Sequence, residues 1–193
     1  MKVKLAGLLA IILLAMGAVS AKAGGLLEVR AGAGINGTNL DDLSDEVGGM
    51  NFENSDNYNL DLFLNLPGPF GVGLRNEWLN TKGTDEGFTG EIDANNLSLL
   101  VDFRILDNWV YLGPIAGIGY PTGNIKGFGG AEGNLDAKNP AYMLAAEGGF
   151  KLGRFMVGAE LGYTNLRLET NNGSTSVDLS GMYGKILAGI ALF

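Results

Sequence analysis

Nine charged residues alternate with aliphatic neighbours along this chain: Glu28, Arg30, Asp61, Arg75, Glu77, Asp102, Arg104, Glu147 and Glu160. Two kinds of chemistry are open to such a set. Paired carboxylates can act as general acid and base, and Glu28 with Glu160 is the pair that closure of a sheet would bring together. Carboxylates facing guanidinium groups instead form short charge-assisted hydrogen bonds that fill space. The chain contains no histidine and no cysteine, so neither a serine–histidine nor a cysteine–histidine nucleophile can be built. Acids interleaved with arginines therefore predict a structural network, with no catalytic residue, no cofactor and no enzyme. Neither sign dominates, so no charge-selective pore is expected.

A denser acidic run, Asp41-Asp42-Leu43-Ser44-Asp45-Glu46, is the weak metal candidate of the chain. Hard cations take clustered carboxylate oxygens, and Asp41, Asp42, Asp45 and Glu46 supply them. The run lacks the ligand spacing of a calcium loop, however, and reads as a solvated, repulsive surface. Asp85, Glu86, Glu91, Asp93, Glu132, Asp136, Glu169 and Asp178 continue this acidity, against Lys82, Lys126, Lys138 and Arg167. Loops of this charge suit a surface partner and repel nucleic acid. The glycine-rich stretch 123–133 has no strand–helix context for a phosphate loop and reads as a flexible tip.

The elements that position these groups follow from a period of two. Leu97, Leu99, Val101, Phe103 and Ile105 interleave with Asn96, Ser98, Leu100, Asp102 and Arg104, which only an extended strand converts into two chemically different faces. Eight such stretches occur, near 26–36, 58–66, 71–80, 96–105, 110–120, 142–151, from 155 onward, and at the C-terminal end. Tilted strands of about 9–11 residues cross a bilayer core. Connections alternate between short (67–70, 106–109, 152–154) and long (37–57, 81–95, 121–139, 166–177). The prediction is an all-β, eight-stranded antiparallel up-and-down transmembrane barrel with short periplasmic turns and long extracellular loops. Pro114 cannot donate to a ladder, so a bulge is expected beside it. In the last strand, odd parity places Tyr183, Leu187, Ala191 and Phe193 on the lipid face. It places Lys185 there too, whereas even parity uses Met182, Ile186, Ala188, Ile190 and Leu192 and points Lys185 inward. A bulge near Gly184 would reconcile the two parities, with odd parity expected near the C-terminus and the facing of Lys185 left open.

Aromatic residues sort to the strand ends on the apolar face. Tyr58, Trp78, Tyr120, Tyr142 and Tyr163 mark the long-loop end, and Phe103, Phe150, Phe155 and Phe193 the short-turn end. Two such levels are the expected interfacial girdles. Residues 1–23 read as a cleavable signal peptide: Lys2 and Lys4, an apolar core over 5–19, then Ala21-Lys22-Ala23. Its removal takes Lys22 as well, so these three lysines move the formal charge from −8 to −11 and leave 24–193 as the barrel.

The stretch Val110-Tyr111-Leu112-Gly113-Pro114-Ile115-Ala116-Gly117-Ile118-Gly119-Tyr120 and the terminal Phe193 resemble the small outer-membrane barrels of the OmpA/OmpX type. Ala191 departs from the larger residue usual there. The resemblance implies outer-membrane lipid as solvent, a C-terminal strand read by the barrel-insertion machinery, and a monomer. Some relatives carry a peptidoglycan-binding domain after the barrel; with nothing following Phe193, none is expected here. Lipid-modifying barrels of this size resemble histidine-dependent hydrolases, which this chain cannot imitate. The functional expectation is a barrel with a plugged lumen and a structural or adhesion-type role through its acidic loops. A narrow conduit for small hydrophobic solutes, opening near Pro114, and a secreted soluble carrier barrel are the alternatives.

Overall fold

The computed structural model describes residues 26–38, 51–52, 55–85, 88–128, 131–170 and 176–192. In these segments every regular element is a strand. In chain order they are β1 (Leu27–Thr38), β2 (Asn51–Phe52), β3 (Ser55–Asn65), β4 (Phe70–Asp85), β5 (Phe88–Phe103), β6 (Leu106–Asp107) and β7 (Val110–Phe128). There follow β8 (Ala131–Ala137), β9 (Ala141–Leu152), β10 (Phe155–Asn165), β11 (Arg167–Thr170), β12 (Ser176–Asp178) and β13 (Gly181–Ala191).

Eight of these close a ring, β1-β3-β4-β5-β7-β9-β10-β13, with β13 pairing back onto β1 and every pairing antiparallel. Closure removes every sheet edge, so the backbone donors and acceptors of the wall are satisfied without water. The protein is an eight-stranded up-and-down barrel, as the alternation predicts. Along β3 buried and exposed residues alternate strictly from Ser55 to Phe63. Leu97, Leu99, Leu144, Leu161 and Ile186 project outward and are exposed. An apolar exterior around a polar interior inverts the soluble pattern and fits a lipid solvent.

Short turns obey local sterics. Gly68 adopts φ 103° between Pro67 and Pro69, and Gly153 adopts φ 64° in the two-residue link joining β9 to β10. At Pro114 the β9 ladder runs unbroken, with Pro114 opposite Ala146. On the other side the register moves by one residue between Asp102/Ile115 and Leu106/Leu112. The irregularity that a missing N–H demands thus lies directly beside the proline.

Three expectations need correction. Both ladders of β13 are continuous through Gly184, so no bulge exists there and odd parity fails. Tyr183, Lys185 and Leu187 are buried in the interior, while Met182 and Ile186 face outward. The even face is the richer in apolar residues, with Met182, Ile186, Ala188, Ile190 and Leu192, and facing it outward also buries Lys185 against a carboxylate. Secondly, the described parts of the connections 81–95, 121–139 and 166–177 are not largely loop. Strands β4, β5 and β7 run well past the aromatic level, β8 pairs on β7, β11 on β8, and β12 on β11. Thirdly, the supposed flexible tip at 123–133 is for the most part a β7–β8 hairpin, with a register shift between Ile125 and Phe128. The acidic run at Asp41, Asp42, Asp45 and Glu46, the terminal Phe193 and the 1–23 segment lie outside the described residues.

Inside the wall, Tyr111, Gly149 and Gly158 are successive cross-strand neighbours on β7, β9 and β10. The phenol lies over both glycines, and a Cβ on Gly158 would collide with its hydroxyl. Replacing Gly158 by Val is therefore expected to destabilise the barrel by about 1–3 kcal/mol. The measurement is the temperature at which the compact, faster-migrating gel band converts to the unfolded one, which drops in G158V.

Candidate functional site: the charged lumen and its apolar cap

Period two delivers every predicted lumen residue to one side of the wall. Glu28, Arg30, Asp61, Arg75, Glu77, Asp102, Arg104, Glu147 and Glu160 are all buried. They form two clusters that cross the barrel.

In the middle cluster, Asp61 and Arg75 face each other on consecutive strands β3 and β4. Arg75 donates from Nε and Nη2 to the Asp61 carboxylate, each at 2.8 Å. It also donates from Nη1 and Nη2 to Glu160 on β10, each at 2.7 Å. In the ring β10 stands opposite β4, so one guanidinium bridges the full width of the lumen. Two bidentate contacts on one planar group make the strongest arrangement a guanidinium can offer. Tyr183 donates its hydroxyl to Glu160 at 2.7 Å. Lys185 reaches across to Glu77 at 2.5 Å, and Asn57 donates to the same carboxylate at 3.0 Å.

The second cluster lies nearer the short-turn end. Arg30 donates from Nη1 to both oxygens of Glu147, at 2.8 and 2.9 Å, and from Nη2 to Glu28 at 2.7 Å. Its guanidinium also lies over the Phe63 ring, 4.0 Å from the centroid, a cation–π contact strengthened by desolvation. Arg104 donates to Glu28 at 2.7 and 2.9 Å and to Asp102 at 3.0 Å. Lys151 and Asp107 pair at the mouth, and Asn65 donates to Glu28 at 2.9 Å. Glu28 and Glu160 belong to different arginine clusters, so the carboxylate pair imagined for acid–base work does not form. Glu147 and Glu160 are the carboxylates that face each other directly across β9 and β10. Each takes an arginine from the far wall.

Above these clusters the lumen turns apolar. Leu79, Ile92, Ala94, Ile125, Leu135, Ala141, Leu166, Leu168, Val177 and Leu179 pack together, all buried. They come from β4, β5, β7 and β9 of the wall and from β8, β11 and β12, which fold over its long-loop end. Asn36 of β1 donates to the Leu179 carbonyl at 3.3 Å, and the Leu166 N–H donates to Ser180 Oγ at 3.0 Å. These bonds tie the cap to the wall. The cap was missed because 166–177 reads as a loop by charge, yet Leu166-Arg167-Leu168 and Val177-Asp178-Leu179 carry the alternation of a short hairpin. Tyr183 and Asp107 were likewise outside the predicted network, the first through the parity error, and Lys185, whose facing the sequence left open, joins it.

The aromatic levels are placed as follows. Tyr58, Trp78, Tyr120, Tyr142 and Tyr163 are exposed at the long-loop end of the band, and Phe103, Phe150 and Phe155 at the other. Phe70 and Trp109 join the second set: Phe70 packs on Phe103 at 5.1 Å, and Trp109 stacks on Phe150 at 6.2 Å between centroids. Both sit in or beside turns, where parity carries no signal.

Solved structures share this architecture. The Neisserial surface protein A matches with a TM-score of 0.54 at 10% identity, covering 86% of this chain and 96% of its own. A major outer membrane protein from Thermus thermophilus gives 0.53 at 15% identity, over 85% and 97%. The outer membrane protein OprG from Pseudomonas aeruginosa gives 0.52 at 12%, over 89% and 97%. The chain has the fold of the small outer-membrane β-barrels. No protein-family model matches it, and no curated protein matches it.

Removing Arg75 alone leaves Asp61 and Glu160 buried without their partner. The variant Arg75→Ala is expected to lose about 3–5 kcal/mol of stability, whereas Asp61→Asn with Arg75→Met and Glu160→Gln stays within roughly 1–2 kcal/mol of wild type. Urea unfolding of the refolded barrel in detergent, followed by tryptophan fluorescence, measures both.

Proposed function

We propose that this protein is a closed barrel of the outer membrane, with a lumen that serves as a structural plug and a task at its cell-surface end. One observation carries the reading: Arg75, with no exposed side-chain surface, spans the lumen between Asp61 and Glu160. An ion crossing the barrel has to break that bridge and then part the apolar cap. So small a barrel is largely filled by its own side chains. With its carboxylates committed to arginine, lysine and amide donors, the lumen has no free acid–base pair to offer, which supports a non-enzymatic role.

The remaining role is structural or of the surface-interaction and adhesion type, exercised by the strand extensions and the acidic residues they carry. The Neisserial barrel named above is itself called a surface protein. The barrel acts as a monomer, inserted by the machinery that reads the C-terminal strand, with lipid as its lateral partner. A conduit for small hydrophobic solutes is the second reading, favoured by the interrupted ladder at Pro114. A soluble carrier is not supported, since the apolar band is no surface for a protein in water.

Single-channel recording of the refolded protein in planar bilayers is the test. No reproducible openings are expected from wild type. Robust, uniform openings would overturn the plugged-barrel reading.

A further inference from the structure

The strands that carry the cap on one face carry something different on the other. Where β4, β5, β7 and β8 rise past the aromatic level, their outward side chains form cross-strand rows. One row is Tyr58, Trp78, Asn95, Thr122 and Asp136; the next is Asn80, Asp93, Asn124 and Asn134. These rows line a groove of about 510 Å³, a size typical of small-molecule sites, which run roughly 300–1,000 Å³. Its floor is the backbone of Leu79, Ala94, Gly123 and Leu135, and the Leu79, Ala94 and Leu135 side chains are buried in the cap behind it.

The lining selects a ligand class. Tyr58 and Trp78 are 51% and 43% exposed, cross-strand neighbours at one end of the groove. Beside them are amides, a hydroxyl and carboxylates. Asn95, Thr122, Asn124 and Asp136 have no side-chain partner among the described residues. An apolar ligand would strand these polar groups. An anion would meet Asp93 and Asp136, and of the lysines at the rim Lys126 is already 3.6 Å from Asp93 and Lys138 3.6 Å from Glu169. A metal ion lacks ligands, since no set of three candidate side chains gathers among the described residues. A sugar ring fits both halves: its C–H face lies on an aromatic ring, while its hydroxyls donate to carboxylates and exchange bonds with amides.

Position selects the source. The rows point away from the barrel axis, directly above the band that faces acyl chains, into the layer where headgroups of neighbouring lipids lie. We propose that this groove binds the uncharged sugar headgroup of a glycolipid in the surrounding leaflet. The assignment rests on the reading of this end as the cell-surface end of a membrane barrel. It does not depend on whether the lumen conducts.

The test uses the full barrel carrying Trp109→Phe, which leaves Trp78 as the single tryptophan. It is placed in phosphatidylcholine nanodiscs with increasing monogalactosyl- or monoglucosyl-diacylglycerol. A saturable change in Trp78 emission is expected with at least one glycolipid. Asp136→Ala and Asn124→Ala, exposed outward-facing polar positions outside the lumen network and the cap core, weaken it by roughly tenfold each while gel mobility stays compact. Absence of a saturable response to either glycolipid overturns the proposal, as does a response that both alanine variants retain. An equal response to phosphatidylglycerol overturns the choice of an uncharged sugar, and saturation by free galactose or glucose alone overturns the lipid source. Single-channel recording of the same sample separates the two readings: a conducting barrel that binds sugar refutes only the plug, and a silent one that does not bind refutes only the groove.

Discussion

Every charge inside this barrel has to find its counter-charge across the lumen, and the rest of the structure depends on that constraint. Glu147 and Glu160 face each other directly on neighbouring strands, a placement that is repulsive in any sheet and worse where water is scarce. The repulsion is relieved only by groups from elsewhere in the ring. Arg30 on β1 takes Glu147, and Arg75 on β4 takes Glu160. Those two contacts hold opposite walls at a fixed separation, so the register of each hairpin and the closure of β13 on β1 are set by the same ions. A slip by one residue would turn the whole inward set of a strand into lipid.

The constraint also explains the one element whose facing is hard to read. In the last strand both faces carry apolar residues: odd parity collects Tyr183, Leu187 and Ala191 together with Lys185, and even parity collects Met182, Ile186, Ala188 and Ile190. The fold turns the even face outward, and on the inward face Lys185 meets Glu77 and Tyr183 meets Glu160. An unpaired lysine in the lipid costs about 2–4 kcal/mol at the midplane, more than one large apolar side chain recovers by facing lipid instead of a lumen that is itself partly apolar. Phe63, Leu100 and Ile115 lie inside as well, so the interior does not penalise Leu187.

The wall, its strand count and the inward set of seven strands were legible because period two and burial on opposite faces are local properties of the chain. Arg75 can be assigned to the inside from the opposite parity of Val72, Leu74 and Trp78, even though Asn76 interrupts that apolar face. Its partner on the far wall cannot, since which strands stand opposite emerges only from closure. The cap was illegible for a different reason. Leu166, Leu168, Val177 and Leu179 alternate over too few residues to stand out from a charged connection. What makes them a unit is Leu135 from β8 and Ile92 from β5, brought together by strands that outrun the membrane. Charge was a poor guide here, because acidic residues on the outer face of a hairpin say nothing about its inner face.

The two ends of the lumen are therefore closed by different physics. At the short-turn end Arg104, Asp102, Lys151 and Asp107 close it with ions, partly wetted, since Asp107 is 38% exposed on its side chain. Such a closure weakens with salt and adapts to water. At the other end the closure is a packed apolar cluster, which excludes water and transmits strain. A ligand on the outer face of β4, β5, β7 or β8 touches strands whose other face is this cluster, and the cluster is bonded to β1 through Asn36. The surface end is thus rigid from outside to inside across one layer of sheet.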